Sequence, residues 1–196
     1  MLKKIPEPVV AVFFGLTGSG KSYLAHRWAL KHNLYYLNSD EVRKQIAGVA
    51  RESRHHVPFN QGLYSPEMTA RTYREMVDRG VRRSAEGGCA GVVLDGSFGK
   101  DEQRDQVVAA FTASVAIFFI HCHCSEAVTR HRFTLRAEDD QAVSDGRWEI
   151  YLGQKRSFSV PRRISGARVI SLDTDNAVEV LIDEVDEAIS NRSARG

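Results

Sequence analysis

The sequence has few cysteines, little net charge and no long run of apolar residues. An odd count of three cysteines argues against a secreted fold held together by disulfides. A formal net charge of +2 provides no general attraction to nucleic acid or membrane surfaces. The apolar runs have the length of strands rather than of membrane spans, and residues 1–8 lack the apolar centre of a secretory signal. We therefore expect a cytoplasmic protein.

The length and composition suit one globular domain. With 196 residues, 42% of them hydrophobic and 27% charged, the chain can build a sizeable core but is short for two domains. We expect residues 1–196 to form a single domain. Short apolar runs alternate with helical patterns, which predicts a parallel sheet covered by helices on both faces. The predicted strands span residues 9–14, 34–37, 92–95, 114–122 and 168–172.

A glycine-rich motif follows the first strand. Residues 15–22 read GLTGSGKS, which satisfies the pattern G-x-x-x-x-G-K-[ST], and a helical pattern begins at Lys21. Glycines let backbone N–H groups wrap a phosphate, and the N-terminus of the following helix favours an anion. The motif predicts a nucleoside triphosphate site, with Lys21 at the β- and γ-phosphates and Ser22 as a magnesium ligand. The predicted nucleotide-binding residues are Gly15, Thr17, Gly18, Ser19, Gly20, Lys21, Ser22 and Tyr23.

Asp40 and Arg43 follow the second strand, beyond the carboxyl ends of the strands where ligands bind in open α/β sheets. They lie three residues apart at the start of a predicted helix and therefore share one face. Asp40 is a candidate general base for an attacking hydroxyl, and Arg43 is a candidate to hold the acceptor. The pattern fits equally well a helix capped by Ser39 or Asp40, with Arg43 as a solvated surface charge.

A third carboxylate, Asp95, ends the apolar third strand, which reads VVLD. A charge at the mouth of a buried strand needs a partner. In P-loop proteins an aspartate at this position contributes to the magnesium site. Asp95 is therefore predicted to form the metal site together with Ser22.

Arg132 and Arg136 lie one turn apart on the helix predicted after the fourth strand. With the acidic segment that follows, they indicate a lid over about residues 132–158. An arginine that closes over the γ-phosphate neutralises charge in the transition state and excludes water. Both arginines are therefore candidate catalytic residues, together with Lys21 and Asp40. The alternative is a solvated basic face, which suits Arg130 best.

Two further segments carry polar residues. Residues 48–65 form a long irregular stretch, and loops of this length are usually functional or mobile. His121, Cys122, His123 and Cys124 alternate along a strand, and they lack the spacing of a structural zinc site. We expect no structural metal there.

Together these motifs resemble those of a known family. GLTGSGKS, NSDEVR, LDGSF and the arginine-bearing helix with its lid are similar to those of small bacterial P-loop kinases of the AAA_33 type. That group is related to zeta toxins, chloramphenicol phosphotransferase and the 5′-kinase domain of polynucleotide kinases. The resemblance covers roughly residues 9–175.

The resemblance implies a three-layer α/β P-loop NTPase fold, with a five-stranded parallel sheet of order 2-3-1-4-5, helices on both faces and a helical lid. It implies ATP and Mg²⁺ as cofactors. It also implies that Asp40 is the general base, that Arg43 orients the acceptor, and that Arg132 and Arg136 are the lid arginines.

The expected function is transfer of the γ-phosphoryl group to a hydroxyl of a small molecule or of a nucleic-acid end. Two other classes stay open, a nucleotide-binding regulator and a simple ATP hydrolase. Asp40 and the lid favour a kinase, and the modest net charge argues against long nucleic-acid substrates. The acceptor, the choice between ATP and GTP, and the oligomeric state are left open.

Overall fold

The computed structural model describes Ile5 and residues 8–50, 62–111, 114–137 and 148–191, without the side chains of residues 136 and 137. The strands in this part of the chain are β1 (Val9–Phe14), β2 (Tyr35–Asn38), β3 (Gly91–Asp95), β4 (Ala116–His123) and β5 (Arg168–Asp173). The helices are α1 (Lys21–Lys31), α2 (Ser39–Ile46), α3 (Pro66–Glu86), α4 (Asp101–Ala110), α5 (Glu126–Ala137), α6 (Trp148–Ser157) and α7 (Val178–Ser190), and a 3₁₀ helix spans Gly62–Tyr64.

The five strands form one parallel sheet in the order β2-β3-β1-β4-β5, which confirms the predicted order 2-3-1-4-5. The central strand β1 pairs with β3 on one side and β4 on the other, and all its residues are buried. Since the strands are parallel, their carboxyl ends meet at one edge. The glycine-rich motif, the start of α2 and Asp95 all lie at that edge.

Two apolar clusters cover the two faces of the sheet, so the fold has the predicted three layers. Residues of α1 and α7 pack on one face, and residues of α3 and α4 pack on the other. The side chains of β1 alternate between these clusters, which explains why the strand is a continuous apolar run. Val9, Ala11 and Phe13 contribute to the first cluster, and Val10, Val12 and Phe14 to the second.

The start of α2 differs from the prediction. The helix is capped by Asn38, not by Ser39 or Asp40, because the Asn38 Oδ1 atom accepts hydrogen bonds from the backbone N–H groups of Asp40 at 2.9 Å and Glu41 at 3.2 Å. The Asp40 carboxylate is therefore not used for capping.

Two predicted segments lie largely outside the described residues. They are the acidic segment 137–146 and the irregular stretch 48–65, of which the last part forms the short 3₁₀ helix. Across the described residues, none of the helices has both the length and the apolar character needed to cross a membrane.

Candidate active site

The glycine-rich motif forms a loop between β1 and α1. Gly15, Gly18 and Gly20 have φ angles of 148°, 84° and 81°, which lie in the region that favours glycine. A Cβ atom at Gly15 would lie 2.2 Å from the backbone oxygen of Cys122 in β4. Glycine is therefore required there by both conformation and space. Because α1 begins directly after the loop, its partly positive N-terminus faces the loop.

A cavity of about 610 Å³ opens beside this loop. Its walls come from the loop, α2, the 3₁₀ helix, α3, the β3–α4 connection, α4 and α6. The structure thus brings together residues that the sequence holds far apart. The predicted site residues that line it are Thr17, Lys21, Ser22, Asp40, Arg43 and Asp95.

Asp95 is fully buried at the end of β3 and lines the cavity. Its Oδ2 atom accepts hydrogen bonds from the Tyr36 hydroxyl and the Asn38 side-chain amide, both at 2.6 Å. Burial and the neighbouring Asp95 carboxylate raise the pKa of Tyr36 far above its usual value, so the phenol stays protonated and donates.

The other oxygen of Asp95, Oδ1, is buried without a hydrogen-bond partner among the described residues. Such an atom is costly unless something else binds it. Ser22 lines the same cavity. Carboxylate and hydroxyl oxygens are ligands that Mg²⁺ accepts, so Asp95 and Ser22 fit the predicted metal site.

Asp40 and Arg43 form a close ion pair. The Asp40 Oδ1 atom accepts a hydrogen bond from Arg43 Nη1 at 2.5 Å. Arg43 is only 5% exposed, and its guanidinium lies 4.7 Å from the centre of the Tyr64 ring. The alternative of a solvated Arg43 is therefore excluded. The pairing orients the Asp40 carboxylate at the cavity wall, where it can accept a proton or a hydrogen bond.

The connection between β3 and α4 is strained at Phe98, whose neighbours Ser97 and Gly99 line the cavity. Phe98 is buried and has a φ of 39°, which is uncommon for a residue other than glycine. The Tyr73 hydroxyl accepts from the Phe98 backbone N–H at 3.2 Å and shares a 2.8 Å hydrogen bond with Ser97. The buried Arg104 guanidinium donates to the Phe98 carbonyl. Strain held in this way is typical of functional sites.

Arg132 is anchored to the glycine-rich loop from α5. Its guanidinium donates to the Thr174 carbonyl at 2.6 Å and to the Gly18 carbonyl at 3.4 Å. Thr174 follows β5, and its hydroxyl in turn donates to the Ser19 carbonyl at 2.5 Å. Arg132 therefore joins the glycine-rich loop to the segment that follows β5. The alternative interpretation, that Arg132 belongs to a solvated basic face, does not hold.

Some of the residues singled out from the sequence do not line the cavity. Among the residues described, neither Arg132 nor Tyr23 lines the cavity, and the Tyr23 ring is 60% exposed beside Arg27. The side chain of Arg136 lies outside the described part of the structure. Arg130 is exposed, as expected, and its guanidinium lies 3.7 Å from the centre of the Trp148 ring.

Helix α6, within the predicted lid, reaches the glycine-rich loop directly. The Gln154 Oε1 atom accepts a hydrogen bond from the Thr17 backbone N–H at 2.8 Å. Ile150, Ser157 and Phe158 also line the cavity from this side. The lid region thus forms one wall of the site.

His121 and His123 lie side by side in β4, with ring centres 5.3 Å apart. Burial, and then the neighbouring His123, lower the pKa of His121 to about 4, so its ring is neutral near pH 7. It packs against Phe14 and Phe158. A search of the described residues finds no group of three His, Cys, Asp or Glu side chains placed to hold a metal ion.

Several residues of the site do not stand out in the sequence. Tyr36, Tyr64, Tyr73 and Gln154 acquire their contacts only through the fold, and no sequence pattern marks them. Asn38 carried a usable signal, because asparagine before a helical segment is a preferred N-cap.

Comparison with solved structures supports the fold. A sugar kinase from Janibacter sp. HTCC2649, solved without ligand, is 20% identical over 92% of each chain, with a TM-score of 0.66. A gluconokinase from Sinorhizobium meliloti 1021 is 18% identical over 96% of this chain and 94% of that one, with a TM-score of 0.64. Kti12 from Chaetomium thermophilum, solved with ADP-AlF3, is 14% identical over 93% and 99%, with a TM-score of 0.62. No curated protein sequence matches the chain.

At these identities the solved structures show a shared fold, which is that of P-loop kinases. A family model described as an AAA domain, AAA_33, matches residues 10–161. This range runs from β1 past α6 and includes the whole glycine-rich motif, Asp40, Asp95 and Arg132. The resemblance expected from the motifs is confirmed, and the chain belongs to the AAA_33 family.

Proposed function

We propose that this protein is an ATP- and magnesium-dependent phosphotransferase that moves the γ-phosphoryl group to a hydroxyl of a small molecule or of a nucleic-acid end. The observation that carries the proposal is that Lys21 and the Asp40–Arg43 pair line one cavity. A phosphoryl transfer needs a cationic phosphate site and a carboxylate that can receive the acceptor proton within reach of each other.

On the nucleotide side, the backbone N–H groups of residues 15–23 hold the phosphates, and Lys21 follows the charge of the γ-phosphate. Ser22 and the Asp95 Oδ1 atom would hold Mg²⁺, which would supply charge neutralisation when bound. Tyr36 and Asn38 keep the Asp95 carboxylate oriented through their two hydrogen bonds.

On the acceptor side, Asp40 takes the proton of the attacking hydroxyl, and Arg43 positions both Asp40 and the acceptor. The volume of the cavity, about 610 Å³, is in the range of small-molecule sites. Arg74 and Lys100 add two exposed cations to its wall and Glu102 adds an exposed carboxylate, which favours a polar acceptor.

Arg132 and Arg136 are proposed as the lid arginines. The bonds of Arg132 to the Gly18 and Thr174 carbonyls support a role on the nucleotide side of the loop. Arg136, one turn further along the same helix, is then the candidate to approach the γ-phosphate when the lid closes.

The test is transfer from labelled ATP with Mg²⁺ to pools of sugars and sugar acids, nucleosides, 5′-hydroxyl oligonucleotides, hydroxylated antibiotics and amino-sugar nucleotides. Asp40→Asn keeps an oxygen that can accept from Arg43 but is a far weaker base. We expect it to lower transfer about 10²- to 10⁴-fold while nucleotide binding persists. Glu41→Gln, the adjacent carboxylate on α2, is the matched control.

If Asp40→Asn transfers phosphate as fast as the wild type, Asp40 is not the general base. Release of inorganic phosphate at an equal rate with and without every pool would favour a simple hydrolase instead. ATP binding with neither transfer nor phosphate release would favour a nucleotide-binding regulator.

A further inference from the structure

One side chain of α6 accepts a hydrogen bond from a backbone N–H group of the glycine-rich loop. The Gln154 carboxamide oxygen accepts from the Thr17 N–H at 2.8 Å, across 137 positions of sequence. Thr17 is the third residue of the GLTGSGKS motif, whose backbone N–H groups form an anion-binding concavity. Gln154 therefore satisfies a donor that belongs to the phosphate site.

Gln154 also lies at the cavity of the candidate active site. It lines the same cavity as Lys21, Ser22 and Asp40, and its carboxamide lies at the glycine-rich loop. A glutamine side chain carries one oxygen acceptor and two N–H donors, without charge. The oxygen is used by Thr17, and a half-turn of the terminal torsion exchanges it with the NH₂ group.

The helix that presents Gln154 is held in place at both ends. Lys155, its neighbour, forms an ion pair with Glu126 of α5 at 3.0 Å. At the start of α6, Arg130 of α5 stacks on Trp148. These contacts join α6 to α5, which also carries Arg132.

We propose that Gln154 is a residue of the terminal-phosphate site. Its carboxamide oxygen satisfies the Thr17 N–H while no phosphate engages it, and its N–H groups donate to the terminal phosphate once nucleotide is bound. The inference rests on the proposed nucleotide site and adds an uncharged donor that the lid region brings to it. If Gln154 only tethered α6 to the loop, its replacement would change the affinity for nucleotides with and without a γ-phosphate by the same factor.

The test uses the variants Gln154→Glu and Gln154→Ala. Calorimetry in the presence of Mg²⁺ measures their affinity for ADP and for a non-hydrolysable ATP analogue. The glutamate can still accept from Thr17, but it lacks both donors and places a negative charge beside the phosphate. We expect its affinity for the ATP analogue to fall about tenfold or more relative to ADP, because hydrogen bonds to charged groups contribute strongly. Alanine should lower the same ratio less, since it removes the donors without adding charge.

The control is Gln45→Glu, which makes the same chemical change on α2. Gln45 is exposed, accepts from Arg79 at 2.5 Å and is not among the residues that line the cavity. The ratio of affinities should stay that of the wild type. An unchanged ratio in both Gln154 variants, or an equal loss for both nucleotides, would overturn the inference and leave the proposed function standing. Failure of the wild-type protein to bind either nucleotide would instead reject the proposed function itself.

Discussion

The two sides of the cavity are built in different ways. The proposed nucleotide side is one continuous segment, residues 15–22, made of the glycine-rich loop and the start of α1. Its donors are mainly backbone N–H groups, with the buried Asp95 beside it. The proposed acceptor side consists of side chains from α2, the 3₁₀ helix, α3 and α4, which are distant in sequence. One side is determined by local conformation, and the other by how the helices assemble.

This difference explains why the donor chemistry is easier to recognise than the acceptor. A backbone site needs glycines at fixed spacing, and only a few sequences satisfy that requirement. A side-chain site can use many residue types on the same scaffold, so the fold alone does not specify the acceptor. Changes on the nucleotide side should therefore affect transfer to every acceptor, and changes on the acceptor side should depend on the acceptor used.

Among the variants that compare the two sides, the largest effect is expected for Lys21→Ala, on the nucleotide side. Removing the charge that follows the γ-phosphate should lower the rate of transfer about 10²- to 10³-fold, by the same factor for every acceptor. Steady-state kinetics with two different acceptors measure it. Arg27→Ala is the control, because Arg27 lies on the same helix, half-exposed, with a 3.4 Å ion pair to Glu179. Unchanged turnover in Lys21→Ala would reject the P-loop as the phosphate site.

Asp95→Asn should weaken the metal site on the same side of the cavity. The variant keeps an oxygen for the Tyr36 hydroxyl but loses the negative charge near Ser22. We expect the Mg²⁺ concentration for half-maximal transfer to rise about 10- to 100-fold, comparable to losses seen when groups around a metal are removed. A magnesium titration at saturating ATP checks this. If the magnesium requirement does not shift, the unpartnered Asp95 oxygen has a different role.

The layout of the fold could be predicted in detail because its signals are local. The apolar run of β1 marks a strand buried on both faces, and the strand–glycine loop–helix sequence marks the phosphate site. The order of the five strands came from the resemblance to P-loop kinases, since periodicity alone does not order strands. The bounds of the predicted strands lie within about two residues of those in the structure.

The rest of the candidate site depends on contacts between distant segments. Gln154 meets Thr17 across 137 positions, and Tyr64 meets Arg43 only because the 3₁₀ helix folds over α2. The capping of α2 was misassigned for a different reason. Asn38, Ser39 and Asp40 are all good N-caps, and the choice among them is made by where β2 ends and by the bond from Asn38 to the buried Asp95.

On the acceptor side, Arg43→Lys should impair the use of the acceptor without changing the binding of ATP. A lysine keeps the charge but cannot both pair with Asp40 and stack on Tyr64 as the planar guanidinium does. We expect KM for the acceptor to rise about tenfold, the loss of roughly one good hydrogen bond to a charged group, while KM for ATP stays unchanged. Arg79→Lys on α3 provides the comparison. Equal rises in both KM values would contradict the separation of the two sides.

The smallest effect on the site is expected far from the cavity, where Asp186 of α7 holds the end of α1. The buried carboxylate accepts from Trp28 at 2.7 Å and Lys31 at 2.8 Å and pairs with His32 at 2.7 Å. Burial alone would raise the pKa of Asp186, but these hydrogen bonds and the charge of His32 outweigh it, so the pKa lies below its usual value. Asp186→Asn should lower the free energy of unfolding by about 1–3 kcal/mol at pH 7 and leave nucleotide affinity within about twofold.

The pH dependence of that loss separates the charge of Asp186 from its packing. Because the pKa is depressed in the folded state, the carboxylate stabilises the protein fully above its unfolded pKa, about 3.9, and this contribution disappears as the pH falls through the folded value. Urea unfolding of both proteins should therefore show the two stabilities converging in acid, as the pH falls below about 4. A difference that persists unchanged in acid would show that asparagine disturbs the packing of α1 on α7. A large loss of nucleotide affinity would show that the backbone side of the cavity depends on helix anchoring as well as on its glycines.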